Sequence, residues 1–161
     1  MMALQVRRVD YRNPIDAAAL VRLLDMYAQD PMGGGLPLSE DTRQRLCADL
    51  AQRPHAASFI AWLGEEPIGL VNCFEAYSTF KAQPLLNIHD LAVHPAHRGQ
   101  GVGQALLAAV AQHGQAQGCC KLTLEVLTGN AAAIASYTHF GFAGYQLDPA
   151  AGHAVFLQKW L

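Results

Sequence analysis

Two short stretches of this chain hold residue types with an evident chemical use. The first is Arg98-Gly99-Gln100-Gly101-Val102-Gly103, lying where a strand-like run gives way to a helical one. Glycine costs a helix about 1 kcal/mol relative to alanine. Three glycines at alternate positions where a helix begins must therefore answer some other need. The first turn of a helix leaves backbone N–H groups unpaired at the positive end of the helix dipole. Bare backbone lets an anion approach them, so a strand, a glycine-rich turn and a helix make a phosphate site with room for a diphosphate. The same glycines would also serve a tight, closely packed turn. The second stretch is His89-Asp90, two ionisable side chains inside an apolar run. Histidine titrates near neutral pH and suits proton transfer. On a regular strand His89 and Asp90 face opposite sides, and a bulge would change that.

Common phosphate ligands can be tested against the loop. A nucleoside triphosphate loop ends in Gly-Lys-Ser/Thr, whereas Gly103 is followed by Gln104-Ala105. A dinucleotide fingerprint needs GxGxxG, and neither glycine frame closes: Leu106 and Gln104 stand at the final positions. His89, His94 and His97 lack the HExxH spacing of a zinc helix, so no metal is expected. His113 and the pair Cys119-Cys120 read as structural.

These residues must be positioned by a folded body, and the chain supplies one. With 161 residues, 52% hydrophobic and 15% charged, it has the size and apolar content of one α/β domain. A formal net charge of −2 gives no pull toward nucleic acid or an anionic membrane. Cys47, Cys73, Cys119 and Cys120 form no CxxC pair, which suits reduced thiols. The first residues, MMALQVRRVDYRNP, hold no apolar stretch of signal-peptide length. No run approaches the roughly 20 apolar residues of a membrane span. A soluble, cytoplasmic protein is expected.

Along the chain, Leu4 to Val9 reads as a strand, followed by a helix capped by Asn13 and started by Pro14. Three glycines at 33–35 suggest a mobile loop, and Ser39 opens a second helix ended at Arg53-Pro54. Ser58–Leu63 and Ile68–Tyr77 flank a turn and form a hairpin. A long strand from Leu85 to Val93, a helix from Val102 to Gln117 and a strand at Leu122, Leu124 and Val126 follow. The helix between the last two strands makes them parallel neighbours. Asn130 to His139 suits a helix stopped by Gly141, and Phe142–Leu147 with Ala154–Trp160 suggest a second hairpin.

Two segments now carry a resemblance. Arg98 to Gly103 fits the pattern Gln/Arg-x-x-Gly-x-Gly/Ala, preceded by Asp90-Leu91-Ala92-Val93-His94-Pro95. Downstream, Asn130 to Phe142 supplies an Asn, a helix containing Tyr137, and a closing Gly141-Phe142. Together they resemble the GNAT superfamily of acyl-CoA-dependent N-acyltransferases, and the element order agrees over nearly the whole chain; residues 1–84 agree in pattern alone.

The resemblance implies an α/β fold spanning residues 1–161 as one domain. It has a mixed, mostly antiparallel sheet with a parallel central strand pair splayed around the cofactor, flanked by about four helices. It implies that the backbone of Leu91, Ala92 and Val93 pairs with the pantetheine arm of acetyl-CoA. The N–H groups of Arg98, Gly99, Gln100, Gly101, Val102, Gly103 and Gln104 would hold the pyrophosphate, and Asn130 the pantetheine. Tyr137 would stand near the thioester sulfur as general acid; by its pattern alone it could also be a core tyrosine. Many relatives carry Glu near the position of His89, so the base is His89, Asp90 or a water. The acceptor site would be built by Asp30 to Leu38 and Tyr145 to Phe156, with Asp30, Glu40, Glu75 and Tyr77 as candidate contacts for an amine.

The expected function is transfer of an acetyl group from acetyl-CoA to a primary amine, with no metal. Partners are acetyl-CoA, an amine and possible second copies meeting at the open sheet edge. Two other functions fit less of the sequence: a non-catalytic acyl-CoA-binding module, and a nucleotide-binding α/β domain.

Overall fold

The computed structural model describes residues 2–161. Five strands form one sheet in the order β1-β2-β3-β4-β5, the order of the chain itself. They are β1 (Leu4–Arg8), β2 (Ala56–Leu63), β3 (Glu66–Ser78), β4 (Gln83–Val93) and β5 (Leu122–Leu124). The first four pair antiparallel; β4 and β5 are parallel. The helices are α1 (Pro14–Gln29), α2 (Glu40–Ala51), α3 (Val102–Ala116) and α4 (Ala131–Phe140).

Local chemistry explains where the helices start. Asn13 accepts from the N–H groups of Ile15 and Asp16, with Pro14 at the first helical position. Ser39 accepts from Thr42 N–H, and Asn130 from Ala133 N–H. Each cap satisfies donors that the helix itself cannot pair. Helix α3 is the exception: its N-terminal residue is Gly101, in the left-handed region at φ 82°, and no side chain caps it.

Each face of the sheet is covered. On one side Leu20 and Leu23 of α1 and Cys47 and Leu50 of α2 bury against Ile60, Trp62 and Leu70. On the other, Val102, Leu106, Leu107 and Val110 of α3 pack on Phe59, Val71, Leu86 and Ile88.

Two features of the sheet shape the site. Strand β5 pairs with β4 only from Leu86–Leu122 to Ile88–Leu124. Beyond Ile88 the outer edge of β4 has no neighbouring strand. At the same point the register between β3 and β4 slips: Asn72 faces Asp90, but Cys73 faces Ile88. His89 is thus the extra residue of a β-bulge.

The second hairpin expected in the sequence is absent. Residues 142–161 contain no strand, only a 3-10 turn at Pro149–Ala151. Likewise β5 ends at Leu124, short of Val126. The segment 33–35 is a folded turn: Gly33 and Gly35 N–H groups bond the Asp30 carbonyl, and Leu36 N–H bonds Ala28. A Cβ at Gly33 would collide with the Tyr27 carbonyl, so close packing explains that glycine.

Candidate active site

A cavity of about 700 Å³ opens where β4 and β5 part. Its walls come from the end of α1, the far half of β4, the loop and first turn of α3, the chain after β5, and α4. Of the residues singled out in the sequence, His89, Leu91, Ala92, Val93, Arg98, Gly99, Gly101, Val102, Gly103, Gln104, Asn130 and Tyr137 line it. Asp90 and Gln100 do not; the Gln100 amide turns away to donate to the Ala96 carbonyl at 3.1 Å.

Strand geometry gives β4 its open edge. His94 N–H bonds Ile68 on the β3 side at 2.8 Å. Backbone groups alternate in direction along a strand, so the N–H groups of Val93 and Leu91 point away from β3, into the gap. The Val93 carbonyl accepts from Arg98 Nε at 3.1 Å. Next along the chain, Gly99 and Gly101 adopt φ of 72° and 82°, a region open to glycine at little cost. The first helical bond of α3 runs from Ala105 N–H to the Gly101 carbonyl, leaving the preceding N–H groups without helical partners. Gly103 differs from the other two: a Cβ there would meet only Ser136 Oγ at 3.8 Å and Val93 Cγ2 at 3.9 Å, ordinary contacts. The protein itself does not demand glycine at 103. Gln104 ties α3 to α4 through Ser136, donating to its carbonyl at 2.9 Å.

The bulge corrects the expectation that His89 and Asp90 face opposite sides. Ile88 and Leu91 both pack on the α3 face, so His89 and Asp90 both turn to the α1 face. His89 sets its ring edge-on to Phe74, centroids 5.7 Å apart, and lines the cavity. Asp90 instead accepts from Asn72 Nδ2 at 3.0 Å. Asn72 accepts in turn from Ser58 Oγ at 2.6 Å, and Ser58 meets the Tyr11 hydroxyl at 2.8 Å. This chain satisfies the only buried polar side chains found within the core, Ser58 and Asn72, among the described residues.

Tyr137 lies on α4, half-buried, with its ring edge toward Phe142 at 5.9 Å. Burial, and then the neighbouring Tyr27, push its phenol above the ordinary value. A phenol held protonated can donate a hydrogen bond to an anion formed in the cavity. Tyr27 is a residue the sequence placed in the core stripe of α1. It lines the cavity, and burial, then Asp90 and Asp30, raise its phenol as well.

Asp30 is the one acceptor-side candidate that the structure brings to the cavity, together with Met32, Met26 and Glu125. Its carboxylate accepts from Met32 N–H and pairs with Arg98 at 3.3 Å. Those two contacts, the backbone bond foremost, lower its pKa. Glu75 lies on the α3 side, 3.5 Å from His55. Glu40 accepts from Gln44 on α2, and Tyr77 is exposed at the end of β3. Residues 145–156 are exposed and do not line the cavity. Among the described residues no three metal-ligating side chains come together. No helix is long and apolar enough to cross a membrane.

Comparison with known proteins agrees with this geometry. The family model "Acetyltransferase (GNAT) family" matches residues 20–142, and the chain belongs to that family. It is 32% identical over 136 residues to a mycothiol acetyltransferase of Streptomyces scabiei, covering 83% of this chain and 41% of that protein. It is 40% identical over 77 residues to a streptothricin acetyltransferase of Streptomyces lavendulae, covering 48% of this chain and 41% of that one. A thialysine N-epsilon-acetyltransferase of Caenorhabditis elegans is 34% identical over 97 residues, 60% of this chain and 59% of its own length. The chain thus spans 41–59% of these curated relatives. Among solved structures, the aminoglycoside N-acetyltransferase AAC(6')-Iy in complex with CoA superposes with a TM-score of 0.80 at 20% identity, covering 99% of this chain and 96% of that one. At that identity the likeness speaks for the fold.

Proposed function

We propose that this chain transfers an acetyl group from acetyl-CoA to a primary amine of a small molecule. One observation carries this: a helix with an uncapped, glycine-built N-terminus and a strand with a free edge border the same cavity as His89 and Tyr137. The uncapped turn from Arg98 to Gln104 suits a pyrophosphate. The outward N–H groups of Leu91 and Val93 suit the pantetheine amides, which would add to β4 as a strand. Asn130 spends its side-chain oxygen on the α4 cap and keeps its amide N–H groups for the pantetheine arm. Curated relatives that act on amines support the reaction class, as does the CoA-bound neighbour of the same fold.

The chemistry needs no covalent enzyme intermediate. A neutral amine attacks the thioester carbonyl, and the C–S bond breaks as the tetrahedral intermediate collapses. Holding the two reactants together supplies a large share of the rate. The Val93 N–H polarises the carbonyl. Tyr137, kept neutral by burial, donates its proton toward the departing sulfur. His89 takes the amine proton, directly or through water; Asp90 is committed to Asn72. Asp30 and Glu125 provide carboxylates for a cationic acceptor. Arg98 holds Asp30 here; a pyrophosphate that engages Arg98 would release it. Dependence on acetyl-CoA and four free thiols fit a cytoplasmic setting.

The test is an amine-panel assay that reads release of the CoA thiol, covering aminoglycosides, lysine analogues and amino sugars. Thiol release dependent on one acceptor class is expected. CoA binding without turnover of any amine would make the chain a non-catalytic acyl-CoA module. Stabilisation by ATP or NAD but not by CoA would overturn the reading.

A further inference from the structure

The last twenty residues pose a problem that the cavity does not solve. Phe142 is anchored: its N–H bonds the Tyr137 carbonyl at 3.0 Å and its ring packs near Tyr137 and Phe140. Every residue after it is exposed. Tyr145, Leu147, Val155, Phe156, Leu157 and Trp160 are each 69–87% exposed. This stretch carries only Asp148, His153 and Lys159 as ionisable side chains. Its two arms flank a 3-10 turn closed by Asp148 accepting from Ala150 N–H, yet neither arm pairs with the other or with the sheet. Monomeric proteins rarely expose so much contiguous apolar surface.

The sheet has the matching deficiency. Strand β5 is its outermost strand, with no neighbour on its far side. The chain just after β5 leaves Val126 and Leu127 exposed. An uncovered edge bordered by apolar side chains is a template for another strand.

We infer that the segment 143–161 of one copy adds to the β5 edge of a second copy, so that two chains exchange their C-terminal segments. The occupant is a second copy because one chain carries both halves of the fit. Its own segment departs from the body at Phe142 and leaves its own edge bare. A two-fold axis then satisfies both edges at once and closes the assembly. An extended arm from Ala143 to Asp148 would run about 20 Å, the reach needed to follow β5 from Lys121 to Val126. Covering three aromatic and three aliphatic side chains removes roughly 600–1,000 Å² per chain, comparable to the ~800 Å² per partner of stable interfaces. Glu125, Val126 and Leu127 also line the cavity, so the added strand stands beside the wall of the site.

The test uses the full chain in sedimentation equilibrium across 0.1–50 µM (on the order of the range in which transient and stable interfaces separate), with amide hydrogen exchange as a second readout. A dimer is expected, with slowed exchange at residues 122–126. Leu157→Asp and Trp160→Asp should each weaken it at least a hundredfold and restore fast exchange at β5. Both side chains are exposed, so unchanged far-ultraviolet dichroism should certify the fold. A monomer with a protected segment means closure within one chain, and a monomer with an unprotected segment means no exchange; either overturns the inference. A dimer that survives both variants, or that leaves β5 exchange fast, does so too.

Discussion

Gly103 can separate what the fold needs from what a ligand needs. Gly99 and Gly101 sit at positive φ, so any substitution there strains the loop and confounds the result. Gly103 lies inside α3, and an added Cβ would make only ordinary contacts at 3.8 and 3.9 Å. Helix propensity then favours Gly103→Ala by up to about 1 kcal/mol, or roughly 2–4 °C in Tm for a domain of this size. Yet Gly103 lines the cavity at the uncapped turn. If a pyrophosphate rests on that turn, the methyl group pushes it off the N–H groups. Hydrogen bonds to a charged partner contribute about 1.5–3 kcal/mol each, so losing one or two lowers CoA affinity about ten- to several-hundredfold. Thermal unfolding of the free protein and calorimetric titration with CoA measure the two effects separately. A variant that is no less stable but binds CoA poorly is the expected pair. Unchanged CoA affinity would refute the phosphate cradle at this turn. A marked loss of stability would refute the claim that the fold tolerates a side chain there.

Three further outcomes follow from the site and its surroundings. Tyr137→Phe should lower kcat about a hundredfold or more while CoA affinity stays within a few-fold, because the ring keeps its contact with Phe142; an unchanged kcat removes the acid role. His89→Ala should alter the pH dependence of kcat/KM, whereas Asp90→Asn, which still presents an oxygen to Asn72, should leave its shape intact; the reverse pattern would move the base to Asp90. Burial pushes the Cys73 thiol from 9.0 up to about 12. The folded state therefore holds that proton longer than the unfolded state. Stability should be full below pH 9 and fall as pH rises from 9 toward 12, by at most about 1.4 kcal/mol per unit. Urea unfolding across that range should show the slope in the wild type and a reduced slope in Cys73→Ala; equal slopes would assign the effect to other groups.

What could be read in the sequence follows the range of the forces involved. Helix starts at Asn13-Pro14, Ser39 and Asn130 depend on neighbours within a turn, and all three stand where expected. The glycine loop was legible for the same reason, since left-handed backbone and missing caps are local facts. Tyr27 was not. Its spacing from Leu20, Leu23 and Leu24 says only that it faces inward, and at the last turn of α1 inward means the cavity. The unpaired arms after Phe142 show the same limit. Apolar content marks a segment that needs an edge, while the identity of that edge is a non-local matter.

The bulge lies between these cases, and it left a trace. Apolar residues of β4 that pack on α3 fall at Leu86 and Ile88, then at Leu91 and Val93. The parity changes across His89-Asp90, which a strand of strict period two cannot do. That change alone implies an inserted residue. It coincides with the last β4–β5 pair, Ile88–Leu124. One irregularity thus turns His89 toward the α1 face at the point where the edge of β4 is set free. A base candidate and an unpaired strand edge in the same cavity are consequences of a single extra residue, and a deletion restoring regular alternation at His89 should remove both together.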